Sequence, residues 1–411
     1  MSIEEGKTYL LDTYAQVPVV FSSGEGMYLI DEDGNRYLDF VGGIAVNALG
    51  YKDPGFTEAI ERVLGQGLLH CSNLYYNSEA IKAAKGLTAL ADMERVFFCN
   101  SGAEANEAAL KLARKFGNLH APKKNQIISM VDSFHGRTYG AITATGQAKY
   151  HANFDPLPQG FSYGVFNDLS SIAQLVNEQV CAIIVEPIQG EGGIVPAKRE
   201  FLQGLRTLCD THDMLLIFDE VQTGMGRSGK PFAHQVYGVK PDILTTAKAL
   251  AGGIPAGAMM TGGKANTVFT PGDHASTFGG NVLAAAGINE MVKRLSDASF
   301  TDHVQEMGGY LHGKLEGLAS QFPTLCSAVR GMGLIQGLVL TIPPRTVVDA
   351  CFAKGLLVLS AGSDVLRFVP SVGGGTSGGG CSHRHRAGGL GRPARIDSRI
   401  CLVSTRDAHQ R

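Results

Sequence analysis

The stretch TTAKALAGG, residues 245–253, sets a single lysine, Lys248, among small and apolar neighbours. Lysine is among the side chains least often buried, because its ammonium is strongly hydrated. A lysine buried anyway must be paired, lose its proton, or serve as an amine in chemistry. Asp219 is placed in a comparable way, directly after the apolar run of LLIFDEVQTG and ahead of Glu220, Val221 and Gln222. Acids at a strand end commonly face water, but a carboxylate there can also hold a cationic ring nitrogen. In CNSGAEANEAALKLARK, Ser101 and Glu104 have the spacing of a capping box that opens a helix. Gly102 and Ala103 are small enough to let an anion reach free backbone amides at that helix start, where the dipole favours negative charge.

Further groups follow other apolar runs. SFHGRT supplies Phe134, His135 and Arg137 after IISMV. Together they offer a flat face for stacking and a guanidinium for bidentate carboxylate recognition. Glu191 lies in the glycine-rich loop EPIQGEGG, and Ser276 and Thr277 lie in HASTFGGN. Neither loop carries the G-x-S-x-G of a hydrolase nucleophile elbow. GMGLIQG has glycines spaced G-x-G-x-x-x-G with strand-like residues after them, so it reads as a sheet turn and not as a dinucleotide fingerprint. An anion anchor, a stacking ring, an aspartate for a ring nitrogen and a lysine able to form a Schiff base are what pyridoxal 5'-phosphate requires. Held as an imine, Lys248 has no ammonium for burial to penalise.

The elements that must position these groups follow from periodicity. Residues 25–40 read as a hairpin turning through Asp33 and Gly34. Between about residues 55 and 285, helix-length segments alternate with RVFFCN, NQIISMV, CAIIVEP, MLLIFDE and DILTTAK. That alternation predicts a parallel sheet covered on both faces, with its ligand site beyond the carboxyl ends of the strands. After residue 285 come two helix patterns, LAAAGINEMVKRL and YLHGKLEGLASQF, and a strand pair around GMGLIQGLVL and GLLVLS. The expected organisation is an N-terminal segment 1–54, a large domain 55–285, a small domain 286–371 and an atypical tail 372–411. From Gly373 the chain has no aromatic residue, lysine or glutamate and many glycines and arginines, and it should not repay its ordering entropy. The arginines admit a nucleic-acid tail, but the abrupt switch fits a shifted reading frame or a replaced terminus better.

At 411 residues the chain has ample material to bury a site. With 44% hydrophobic residues, 18% charged residues and a net charge of -2, nothing electrostatic argues for nucleic acid. The apolar runs are too short to span a membrane. An acidic, polar start and eight irregularly spaced cysteines without C-x-x-C predict a cytoplasmic protein with buried thiols and no metal.

On NSGAEANEAALKLAR, SFHGRT, EPIQGEGG, FDEVQTGMGRSG, PDILTTAKALAGGIPAGA and HASTFGGN, the chain resembles the class III aminotransferases from about residue 10 to 371. These are fold-type I pyridoxal-phosphate enzymes. The resemblance implies a large α/β domain with a mainly parallel seven-stranded sheet, a smaller α+β domain built from both termini, and a homodimer with shared active sites. It implies that Lys248 is the Schiff-base lysine, that Asp219 pairs with the pyridinium nitrogen, and that Gln222 approaches the ring hydroxyl. Val221 and Phe134 would sandwich the ring, while Gly102 and Ala103 bind the phosphate with Thr277 of the other subunit. Arg137 would bind the donor carboxylate with Ser276 nearby, and Arg367, in VLRFVP, the glutamate α-carboxylate. Glu191 would neutralise Arg367 when the other substrate is bound. HCSNLYYN, residues 70–77, tilts the expected reaction toward N2-acetylornithine and 2-oxoglutarate, giving N-acetylglutamate 5-semialdehyde and glutamate in arginine biosynthesis. Ornithine, succinylornithine and 4-aminobutyrate aminotransferases, aminomutase relatives, and a non-catalytic ligand-sensing module are the alternatives. The departure is the tail: the family's closing helix after LRFVPS is absent, which predicts a weaker small domain and weakened glutamate binding.

Overall fold

A computed structural model describes residues 3–373. All of the atypical tail except its first two residues lies outside the described residues. Those two are packed, for Val372 is fully buried and the Val372 and Gly373 N–H groups both donate to Ala48 O, at 2.7 and 2.9 Å.

The centre is a seven-stranded sheet in the spatial order Arg95–Cys99, Gly257–Thr261, Ile243–Thr246, Leu215–Asp219, Val180–Val185, Gln126–Met130, Phe161–Gly164. Six strands run one way and Gly257–Thr261 runs against them. The central strands read as unbroken apolar runs because both faces are covered. Leu215 and Ile217 share one core with Leu112 and Phe116 of helix Gly102–Asn118. Leu216 and Phe218 share the opposite core with Phe201 and Leu205 of helix Arg199–Thr211. Each such side chain, fully removed from water, contributes about 1.5–3 kcal/mol. The period of two along each strand thus sorts residues between two helical layers.

Two four-stranded sheets flank this core. Cys326–Met332, Ile335–Leu340, Val365–Phe368 and Leu359–Ala361 pair antiparallel in that order. GMG forms the turn of their first hairpin, where Gly333 has φ +53° and sits so close to Arg227 O that a Cβ would lie 2.4 Å from it. The sequence reading of a sheet turn matches this. The N-terminal strands Phe21–Glu25, Tyr28–Asp31 and Arg36–Asp39 form a second antiparallel set, and Leu356–Leu357 joins its edge in parallel. The expected turn is present at Gly34, with φ +83°. Asp31 holds it by accepting from Asp33 N–H at 3.1 Å and Asn35 N–H at 2.7 Å.

Glu220, next to Asp219, caps the short helix Ala233–Tyr237 by accepting from the Ala233 and His234 N–H groups and from the Thr223 hydroxyl. Burial outweighs those donors and pushes its carboxyl up to about 7 from an ordinary 4.5. Between those values the folded chain binds the proton that the unfolded chain has released, so this group's contribution to stability falls as pH rises. The melting midpoint of the parent should therefore fall, relative to Glu220→Gln, between about pH 5 and pH 8. Parallel midpoint-versus-pH curves for the two proteins would refute this.

Candidate active site

The carboxyl ends of the parallel strands deliver their following residues to one edge of the sheet, where a cavity of about 470 Å³ opens. Strand Ile243–Thr246 leads into Lys248, whose φ of +48° is a left-handed conformation costly for a side-chain-bearing residue. Lys248 is half-buried as a residue, with its ammonium at the cavity wall. Among the described residues that ammonium has no hydrogen-bond or ion-pair partner. Burial holds its pKa below the ordinary lysine value; Glu191 opposes the shift and Arg367 adds to it. Of the three fates open to a buried lysine, pairing is the one the structure does not provide.

Asp219 ends strand Leu215–Asp219 and is 3% exposed. Its Oδ2 accepts from Asn106 Nδ2 and His135 Nδ1, both at 2.7 Å, and its Oδ1 from Val221 N–H at 3.0 Å. Asn106 also donates to His135 O and accepts from the Thr245 hydroxyl, each at 2.7 Å. His135 N–H donates to Thr145 Oγ1 at 2.9 Å. Three elements thus clamp one carboxylate in a single orientation, and the short contact fixes the His135 proton on Nδ1.

Helix Gly102–Asn118 begins as its sequence suggests, with Ser101 Oγ accepting from Glu104 N–H at 3.2 Å. The reciprocal half differs, because Glu104 Oε2 takes the Asn100 N–H and side-chain amide, both at 2.9 Å, and not the Ser101 N–H. The Gly102 and Ala103 N–H groups have no acceptor among the described residues, and both residues line the cavity. Gly102 must be glycine for a steric reason too: a Cβ would lie 2.7 Å from Val221 Cγ1. Val221 and Phe134 also line the cavity.

Arg137 stands exposed at the rim, its guanidinium 5.5 Å from the Phe134 ring centroid and 4.1 Å from that of Tyr150. Behind Gln222, Arg367 is 2% exposed and ion-paired with Glu191. Arg367 Nη1 also donates to Gln222 Oε1 at 3.1 Å, while Gln222 Nε2 donates to Glu191 Oε1 at 3.3 Å. Burial alone would raise the Glu191 carboxyl, but Arg367 and Lys248 together hold it below its ordinary value. In this arrangement the Arg367 guanidinium is engaged by protein and not offered to the cavity.

Ser276 and Thr277 are not brought to Lys248 within one chain. They line a separate recess of about 360 Å³ with Glu104, Glu107 and His274. Asn100 borders both spaces and donates to Ser276 Oγ at 3.2 Å. A larger cleft of about 820 Å³ lies against the N-terminal segment but gathers only Lys7 and Asp12 among charged groups, so it lacks convergent chemistry.

Asn106, Thr245 and Glu186 were not singled out from sequence, and His135 was noted without a role. Glu186 lines the cavity and accepts from Phe134 N–H at 3.0 Å and Gly190 N–H at 3.2 Å, joining two site loops. Burial raises its carboxyl well above the ordinary range. Its signal was available: a glutamate following an apolar strand, as Asp219 does.

The family model Aminotransferase class-III matches residues 10–373. An acetylornithine aminotransferase of Clostridium acetobutylicum is 47% identical over 368 residues, covering 89% of this chain and 95% of that protein. A succinylornithine transaminase of Yersinia pseudotuberculosis is 45% identical over 375 residues, covering 89% and 90%. The crystal structure of N-acetylornithine aminotransferase from Stenotrophomonas maltophilia superposes with a TM-score of 0.77 at 38% identity, covering 90% of this chain and 93% of that one. By family model, sequence and fold alike, this chain belongs to the class-III aminotransferases.

Proposed function

We propose that the chain uses pyridoxal 5'-phosphate to move the distal amine of N2-acetylornithine to 2-oxoglutarate, yielding N-acetylglutamate 5-semialdehyde and glutamate, a step of arginine biosynthesis. The observation that carries this reading is the unpaired Lys248, its pKa lowered by burial, lining the same cavity as the clamped Asp219. The cavity's other groups fit the cofactor. The free amides of Gly102 and Ala103 suit a phosphate at a helix start, and Phe134 and Val221 suit the two faces of a ring. Asp219 suits a ring nitrogen and Gln222 a ring hydroxyl, with Thr277 of a second copy completing the phosphate site.

When bound, this cofactor supplies an aldehyde for the substrate amine and a ring that accepts electrons. Lys248 Nζ, with its lowered pKa, takes the proton from the substrate carbon and hands it on. Asp219, unable to turn away from its three donors, keeps a basic ring nitrogen protonated. Arg137 takes the donor carboxylate, with Ser276 of the second copy beside it. Arg367 takes the glutamate α-carboxylate once Glu191 releases it, and re-pairs with Glu191 when the uncharged part of the donor lies there.

Glu191→Gln removes the acid while keeping its volume. The kcat/KM for the acylated donor should drop about tenfold, with that for 2-oxoglutarate unchanged or raised. Equal loss with both substrates would refute the gating role. Borohydride reduction with cofactor present, followed by peptide mapping, tests the reading as a whole: label on Lys248 is expected, and an unlabelled Lys248 overturns it. A donor panel separates acetylornithine from succinylornithine, the second reading, which the 45% identity to succinylornithine transaminases favours.

A homodimer with shared sites is part of the proposal. Tyr9, Leu11, Tyr14, Leu74, Tyr75 and Tyr76 stand 71–93% exposed, an amount of apolar surface suited to a partner. Sedimentation at the mass of one chain would count against it. Unpaired buried thiols at Cys99, Cys181, Cys209 and Cys351 support a reducing compartment, the cytoplasm.

A further inference from the structure

Arg137 is an exposed arginine held without an acid. Among the described residues it makes no ion pair, and neither does Lys149. What holds it is aromatic: the Tyr150 ring, 4.1 Å from its guanidinium carbon, and the Phe134 ring at 5.5 Å. The two rings meet edge to face, centroids 5.6 Å apart at 76°. Lys149 Nζ lies 4.9 Å from the same Tyr150 centroid. A π face attracts a cation without neutralising it, so the guanidinium keeps its charge and its N–H edge for a ligand. An acidic partner would compete with a substrate carboxylate for that edge.

The turn that carries the ring is firmly placed. Tyr150 ends the short turn Ala148–Tyr150, which lies across the loop carrying Phe134. On one side Gln147 Nε2 donates to Ser133 O at 3.0 Å, and Gly146 N–H donates to Ser133 Oγ at 3.0 Å. Gly146 passes so near Met130 O that a Cβ would stand 2.0 Å from it. On the other side His151 Nε2 reaches Thr145 O at 2.7 Å and Ile142 O at 2.9 Å. The side chain is half-buried. A ring carried on a pinned turn under a flexible arginine reduces the rotamer freedom lost when a carboxylate is captured.

We propose that Tyr150 is the positioning residue of the donor site: its π face holds the Arg137 guanidinium at the cavity rim, charged and unpaired, and thereby sets affinity for the carboxylate of the acylated amine donor. This rests on the role proposed for Arg137, and the test separates the two. The probe is N2-acetylnorvaline, the donor without its distal amine, titrated calorimetrically into the holoenzyme, so that affinity is read without turnover. Tyr150→Leu, of similar bulk but without a π face, should weaken binding about 5- to 20-fold, while Tyr150→Phe and Tyr150→Trp stay within about twofold of the parent. The kcat/KM for the donor half-reaction should fall in proportion in Tyr150→Leu.

If Tyr150→Leu binds the probe as the parent does while Arg137→Ala weakens it, the assignment of Tyr150 fails and that of Arg137 stands. If Arg137→Ala also leaves binding unchanged, the reading of Arg137 fails with it. Weakening in Tyr150→Phe as large as in Tyr150→Leu also overturns the proposal, because the hydroxyl and not the π face would then be responsible.

Discussion

Lys248→Ala is expected to lower kcat by about a thousandfold or more, because on the proposed reading one substitution removes both the covalent anchor and the proton carrier. Lys248→Arg is expected to be equally inactive. It keeps a long basic side chain, but a guanidinium does not give up its proton at working pH and cannot act as a base. The structure adds an expectation about stability. Compared without cofactor, Lys248→Ala should melt no lower than the parent, because the lost amine has no partner among the described residues and burial already disfavours its charged form. Single-turnover absorbance with the amino donor measures the first effect and thermal melting the second. Turnover within tenfold of the parent in either variant would remove Lys248 from the chemistry.

Asp219→Asn tests the other half of the centre. The amide keeps the shape of the carboxylate and can still accept from His135 or Asn106, so the fold of the site should survive. What disappears is the negative charge that the proposed reading sets opposite a ring nitrogen. Electrostatic groups of this kind are worth about 10²–10³ in kcat, and KM should change less than about threefold. Near-parental kcat would show that the clamped carboxylate serves only the protein's own hydrogen bonds. A rise in KM with kcat preserved would make it a binding group and no more.

The sequence carried the site residues whose chemical type conflicts with their surroundings. A lysine in an apolar run, an acid directly after one, and two small residues behind a helix cap each raise a question of their own. The groups that hold them in place raise none. Asn106 and Asp219 are 113 positions apart, and only the packing of a helix on a strand brings them to 2.7 Å. Tyr150 reads as one aromatic in a polar turn until its ring is found beneath Arg137. The fold shows the same division. Five strands of the central sheet announce themselves as apolar, largely β-branched or aromatic runs. Gly257–Thr261, GAMMT, does not, because Gly, Ala and Met carry no strand signal. Its first residue is glycine because a Cβ there would lie 2.2 Å from Ser101 O. GLLVLS reads as one strand, yet Leu356–Leu357 and Leu359–Ala361 belong to different sheets. Periodicity reports that a segment is extended and says nothing of its partner.

That division of GLLVLS has a consequence for how the protein is made. Arg36–Asp39 gains its outer neighbour only when Leu356 and Leu357 have left the ribosome, about 320 residues later, or roughly 15–65 s at ordinary elongation rates. Through that interval the nascent hairpin carries an open edge able to pair with any extended segment it meets. Protection of the nascent chain by a holding factor should therefore matter most before Leu356 and Leu357 emerge.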